Sequence, residues 1–137
     1  MNAPKDALET WLRDYVTRNG GVAGTVHLLG GDQLELHASL NIPPKVLEVV
    51  ERIPRGKGMA GLAWERNEPV STCNLKSDES GDVRPGAKAV DANAAVAIPI
   101  HDAAGAVRGV VGIAYMGERA MDADELARLI EQAEALH

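Results

Sequence analysis

Three glycines crowd the stretch Ile53-Pro54-Arg55-Gly56-Lys57-Gly58-Met59-Ala60-Gly61-Leu62-Ala63-Trp64, setting a tight turn directly before a short helical run. Glycine tolerates positive φ and close backbone approach, and the first turn of a helix carries unpaired N–H groups and a partial positive charge. The chain must therefore fold so that a loop delivers a helix N-terminus to a surface. Read alone, the junction points to a small polar or anionic ligand held by the amides of Met59, Ala60 and Gly61.

The remaining chain supplies a sheet and its covering helices. Leu8, Trp11, Leu12, Tyr15 and Val16 recur at helical spacing and predict a first helix from Pro4 to Arg18, ended by Asn19-Gly20-Gly21. A hairpin follows. With a three-residue turn Gly30-Gly31-Asp32, Leu28 faces Leu34 and Val26 faces Leu36, which sets His27 beside Glu35 and Thr25 beside His37 on a wet face. Pro43 and Pro44 open a helix running to about Glu51, and Met59–Asn67 forms the next. Glu68–Thr72 reads as a strand. Residues 74–91 are polar, Gly- and Pro-containing and without period, as expected of a long loop or lid.

The hairpin Ala95–Ile100 to Val107–Ile113 reads as the centre of the sheet. Val96, Ile98, Ile100, Val111 and Ile113 line one face, whereas Ala95, Ala97, Gly112 and Ala114 leave room on the other for a close helix or a cavity. Pro99 has no N–H to give a ladder, so an unpaired position or bulge is expected there. Asp122, with Glu125 three residues on and Met121 positioned to staple Leu126, predicts the start of a final helix.

Taken in order, the first hairpin, Leu40-Asn41-Ile42-Pro43 before a helix, Ile53-Pro54 before the glycine turn, and the proline-containing strand with its glycine-interrupted partner resemble a GAF domain. The resemblance covers nearly the whole chain and implies one domain over residues 4–136. Its fold would be α+β and GAF/PAS-like: a central antiparallel sheet of about six strands, terminal helices on one face, and a ligand cavity under a lid on the other. The function implied is a non-catalytic sensor that dimerises through its terminal helices and signals to a partner protein.

Composition narrows the alternatives. At 137 residues the chain has enough length to bury a core without disulfides, and with no Phe and only 3% aromatic residues that core must be Leu, Val, Ile and Ala. A net charge of −6 without a basic run disfavours nucleic acid, and no apolar run approaches a membrane span, so a cytoplasmic protein is expected. The single Cys73 excludes an internal disulfide and any multi-thiolate metal site; no metal and no cofactor is expected.

Candidate ligand contacts are Met59, Ala60, Gly61, Trp64, Cys73, Arg84, Lys88 and Ala97. Arg84 and Lys88 are the loop's cations, and Trp64 is read equally as cavity wall or plain core. Cys73 serves as a redox residue or, more ordinarily, as a small buried hydrophobe. Free methionine-(R)-sulfoxide reductases are GAF enzymes whose cysteines correspond here to Ala60 and Val90, so the resemblance implies no catalysis of that type. The open alternatives are an unusual reductase using Cys73 and a ligandless dimerisation module. His27 and His37, offset across the first hairpin, read as a surface pair rather than a metal site.

Overall fold

The computed structural model describes residues 5–72, 94–116 and 122–136. Its elements are α1 (Lys5–Arg18), β1 (Ala23–Gly30), β2 (Gln33–Leu40), α2 (Pro44–Val50), β3 (Arg52–Pro54), α3 (Gly58–Arg66), β4 (Val70–Thr72), β5 (Ala94–His101), β6 (Val107–Tyr115) and α4 (Ala123–Glu134). The strands form one antiparallel sheet of order β3-β2-β1-β6-β5-β4. The expected α+β architecture is thus present, with its six strands.

Alternation along β5 and β6 divides the core as the sequence predicts. Val96, Ile98, Ile100, Val111 and Ile113 pack with Leu8, Leu12, Tyr15 and Val16 of α1 and Leu129 and Ala133 of α4. Each such fully buried aliphatic side chain contributes about 1.5–3 kcal/mol through burial. Tyr15 lies in this layer with its hydroxyl donating to Leu129 O at 3.0 Å, and burial raises its pKa well above the ordinary phenol value. On the opposite face, Ala23, Ala97, Val110 and Ala114 meet Val46 of α2 and Ala63 of α3. Helices therefore cover both faces of the sheet.

That two-sided cover corrects the predicted first hairpin. Its turn is the two-residue Gly31-Asp32, with Gly30 paired to Gln33 and positive φ at Gly31 alone, as a type II′ turn requires. Leu29 faces Leu34, Leu28 faces Glu35 and His27 faces Leu36; a bulge at His37 then resets the register to Val26–Ala38 and Thr25–Ser39. Without the bulge, Leu34 and Ala38 would share a face. With it, Leu34 joins the α3 layer and Ala38 the α1 layer, so both apolar residues are buried.

Pro99 sits where its missing N–H costs least. The pairing of β4 with β5 extends only to Val70, the first residue of β4, opposite Ala97 and two residues short of Pro99, and a register shift follows between Ile100 and His101. At the other end, Asp122 Oδ1 accepts from Glu125 N at 2.8 Å and caps α4. The Met121 staple lies outside the described residues. Asp122→Ala should cost about 1 kcal/mol, and a thermal melt should show this as a drop of roughly 3–5 °C.

Candidate functional site

The small-residue face of the sheet is only partly filled. Between it and the α2–α3 layer lies a cavity of about 130 Å³, floored by Thr25, His27, Ala95, Ala97, Val110 and Gly112 and walled by Ile42, Val46, Val50, Ile53, Met59 and Ala60. Its origin is local: Ala95, Ala97, Gly112 and Ala114 carry at most one methyl group each, so they leave part of the layer beneath the helices unfilled. At Gly112 even a methyl group would stand 2.9 Å from Thr25 Oγ1, so glycine keeps the floor clear there.

Among the described residues no charged side chain lines the hollow, and its polar features are few. Thr25 and His27, two residues apart on β1, bring a hydroxyl and an imidazole to the same face. His27 is 2% exposed, which overturns the surface pair expected from the sequence. Its Nε2 lies 2.7 Å from Val50 O. A carbonyl only accepts, so Nε2 carries the proton, and the neutral ring is left with an acceptor lone pair on Nδ1. That atom is buried and, among the described residues, has no hydrogen-bond partner. Burial lowers the His27 pKa to about 4, with a smaller push in the same direction from His37 and an opposing pull from the Val50 bond. The ring is neutral at pH 7.

The glycine junction is more closed than its sequence suggested. Gly61 N donates to Lys57 O at 3.1 Å and Gly61 O accepts from Gly56 N at 2.9 Å, so the Gly61 amide is used within its own chain. The residue serves packing instead: a Cβ there would meet Pro54 O at 2.5 Å. Met59 and Ala60 do line the cavity, and among the described residues their N–H groups meet no backbone acceptor.

Of the other predicted contacts, Ala97 lies in the floor. Trp64 is not a wall. It packs at the edge of the Leu34–Ile53–Ala63 cluster, with the Arg55 guanidinium 5.7 Å from its ring centroid. Cys73, Arg84, Lys88 and Val90, and the predicted loop 74–91, lie outside the described residues. The described residues hold no cluster of three or more potential metal ligands. The polar feature missed by the sequence reading is His27. Its signal was present but ambiguous, because Thr25 and His27 alternate with Val26 and Leu28 as they would on a solvated strand.

These features, an antiparallel sheet between two helical layers with a hollow under the glycine turn, match a known family. The chain belongs to the GAF domain family, whose model spans residues 3–136. No curated protein matches it. Among solved structures, the GAF domain of an Acinetobacter phosphoenolpyruvate-protein phosphotransferase superposes with a TM-score of 0.76 at 19% identity, over 96% of this chain and 78% of that one. A type II free methionine-R-sulfoxide reductase from Thermoplasma acidophilum gives 0.74 at 18% identity, over 94% and 86%. A Staphylococcus aureus NreA protein mutated in its nitrate-binding site gives 0.68 at 15% identity, over 83% and 86%. At these identities the likeness establishes the fold. The similar structures include reductases and a domain of a two-component sensor histidine kinase protein from Sinorhizobium meliloti, and no described helix is long and apolar enough to cross a membrane.

Proposed function

We propose that this chain is a non-catalytic sensory module that takes a small molecule into the cavity beneath α2 and α3 and passes its occupancy to a partner protein through α1 and α4. The observation that carries the reading is the 130 Å³ hollow over Ala97 and Gly112, kept open by small side chains in a layer that is otherwise packed. Its apolar walls change the character of the guest. An anion would lose its hydration there and, among the described residues, gain no cationic side chain.

A route for coupling exists at the sheet edge. His101, ending β5, places Nε2 at 2.6 Å from the side-chain amide of Asn67 at the C-terminus of α3, and Nδ1 at 2.7 Å from Glu134 Oε1 on α4. Arg108 adds a bond from Nε to His101 O at 3.0 Å and another from Nη2 to Leu136 O. The cavity-side helix and the terminal helix are thus tied to one another around the end of β5. A guest transmits a signal only through a difference in its affinity for two arrangements of these helices.

Homodimerisation through the terminal helices belongs to the same reading, with less surplus apolar surface than the sequence suggested. Leu8, Leu12, Tyr15 and Val16 are buried within the chain, and the half-buried Trp11, Leu126 and Ile130 remain as contacts for a second copy. The non-catalytic assignment rests on Ala60, which supplies no thiolate at the cavity wall to attack a sulfoxide.

Native mass spectrometry of protein purified from its host reads ligand mass and subunit count together. A bound small molecule is expected in the wild type and not in Ala97→Leu, whose larger side chain fills the floor. Hydrogen exchange in α1 and α4 should change between the two; helices that exchange identically would rule out the coupling.

A further inference from the structure

We infer that the cavity selects an uncharged, largely apolar molecule of about the size of one benzene ring that carries a single O–H or N–H, and that His27 Nδ1 is the acceptor which recognises it. The inference deepens the proposed sensory reading and rests on it. Three observations converge. The hollow measures about 130 Å³, and a dry cavity of ~150 Å³ holds benzene. Among the described residues its lining is apolar apart from Thr25 and His27. His27, 2% exposed, stands in that floor with one ring nitrogen committed to Val50 O and the other, among the described residues, without any partner.

An unpaired acceptor in an apolar interior is rarely left so, because it forfeits the hydrogen bond it had in the unfolded chain. Nδ1 is sealed from solvent, so water does not meet its need. A donor carried on an apolar body can, once the wall around the ring yields, and the bond it forms offsets that displacement. Since Nε2 holds Val50 at the end of α2, the same ring links the guest to the helix covering it. A carboxylate guest gains nothing from Nδ1, to which it offers no hydrogen, and must shed its hydration among largely aliphatic walls with only neutral donors, such as the Met59 and Ala60 N–H groups, to accept from among the described residues. Toluene fits the volume but leaves Nδ1 unpaired.

Titration calorimetry with phenol, toluene and benzoate tests the assignment on the whole chain. Phenol is expected to bind about tenfold or more tightly than toluene, the factor equivalent to one hydrogen bond of about 1.4 kcal/mol. Benzoate should bind most weakly, and the preference for phenol should vanish in His27→Phe. Because that variant leaves Val50 O without its donor and can fail to fold, a second measurement uses the wild type: the ¹⁵N resonance of His27 Nδ1 should shift on saturation with phenol and stay in place with toluene. Equal affinities for phenol and toluene, or an unmoved Nδ1 resonance, would overturn the role of His27 while leaving a binding cavity. If neither phenol nor toluene binds, the cavity reading falls with it.

Discussion

Lowering the pH from 7 to 4 should remove about 3 kcal/mol of folding stability through His27 alone. The sign follows from the direction of the shift. His27 has a folded pKa near 4 against an ordinary value of 6.5, so between these values the unfolded chain binds a proton that the folded chain refuses. Stability from this source is complete above pH 6.5. It falls by about 1.4 kcal/mol for each pH unit on the way down, and the loss levels off once the folded ring is itself protonated. Urea unfolding at pH 7, 6 and 5 measures the slope. His27→Leu separates it from carboxylate titration, because the variant starts less stable, with Val50 O unpartnered, but lacks this part of the slope. Parallel pH profiles for the two proteins would show that the ring is not held neutral in the core.

Gly61→Ala should be nearly as damaging, costing about 1–3 kcal/mol as overpacking against a rigid neighbour. In an exposed helix the same change stabilises, since alanine favours helix by about 1 kcal/mol over glycine. Here the added methyl would stand 2.5 Å from Pro54 O, 3.2 Å from Gly56 N and 3.3 Å from Ile53 Cγ2. Two of these three atoms are backbone and cannot rotate away, so α3 must lift from β3. That movement would carry Met59 and Ala60 away from the cavity floor, so ligand affinity should fall together with the melting temperature. A variant as stable as the wild type would mean that the turn is looser than its hydrogen bonds, Gly56 N to Gly61 O and Lys57 N to Pro54 O, imply.

Both predictions concern residues whose roles the sequence made visible only in part. The glycine turn was recognisable, and so was its proximity to a hollow, because small residues on one face of β5 and β6 cannot fill the layer above them. The division of labour within the turn was not recognisable. Gly61 satisfies the criteria for an amide donor and for a packing contact equally, and only the approach of Pro54 O distinguishes them.

His27 shows the same boundary from the other side. Polar–apolar alternation along β1 is what a half-exposed strand displays, and the inference that Thr25 and His27 face water follows unless the second face is also covered. Here α2 and α3 cover it.

The sequence by itself determined the order of the helices and of every strand but β3 (Arg52–Pro54), the split between the aliphatic face and the small-residue face, the cap at Asp122 and the absence of any large aromatic core. These are properties of spacing and local chemistry, set within a few residues of chain. Tertiary structure decided that the hairpin turns in two residues and bulges at His37, that His27 is buried beside Val50, and that the described lining of the cavity is largely aliphatic, with no charged side chain. Each of those depends on which distant element lies overhead. Burial and the pairing of buried polar atoms are settled by contacts between segments far apart in the chain, and residue periodicity carries no record of them.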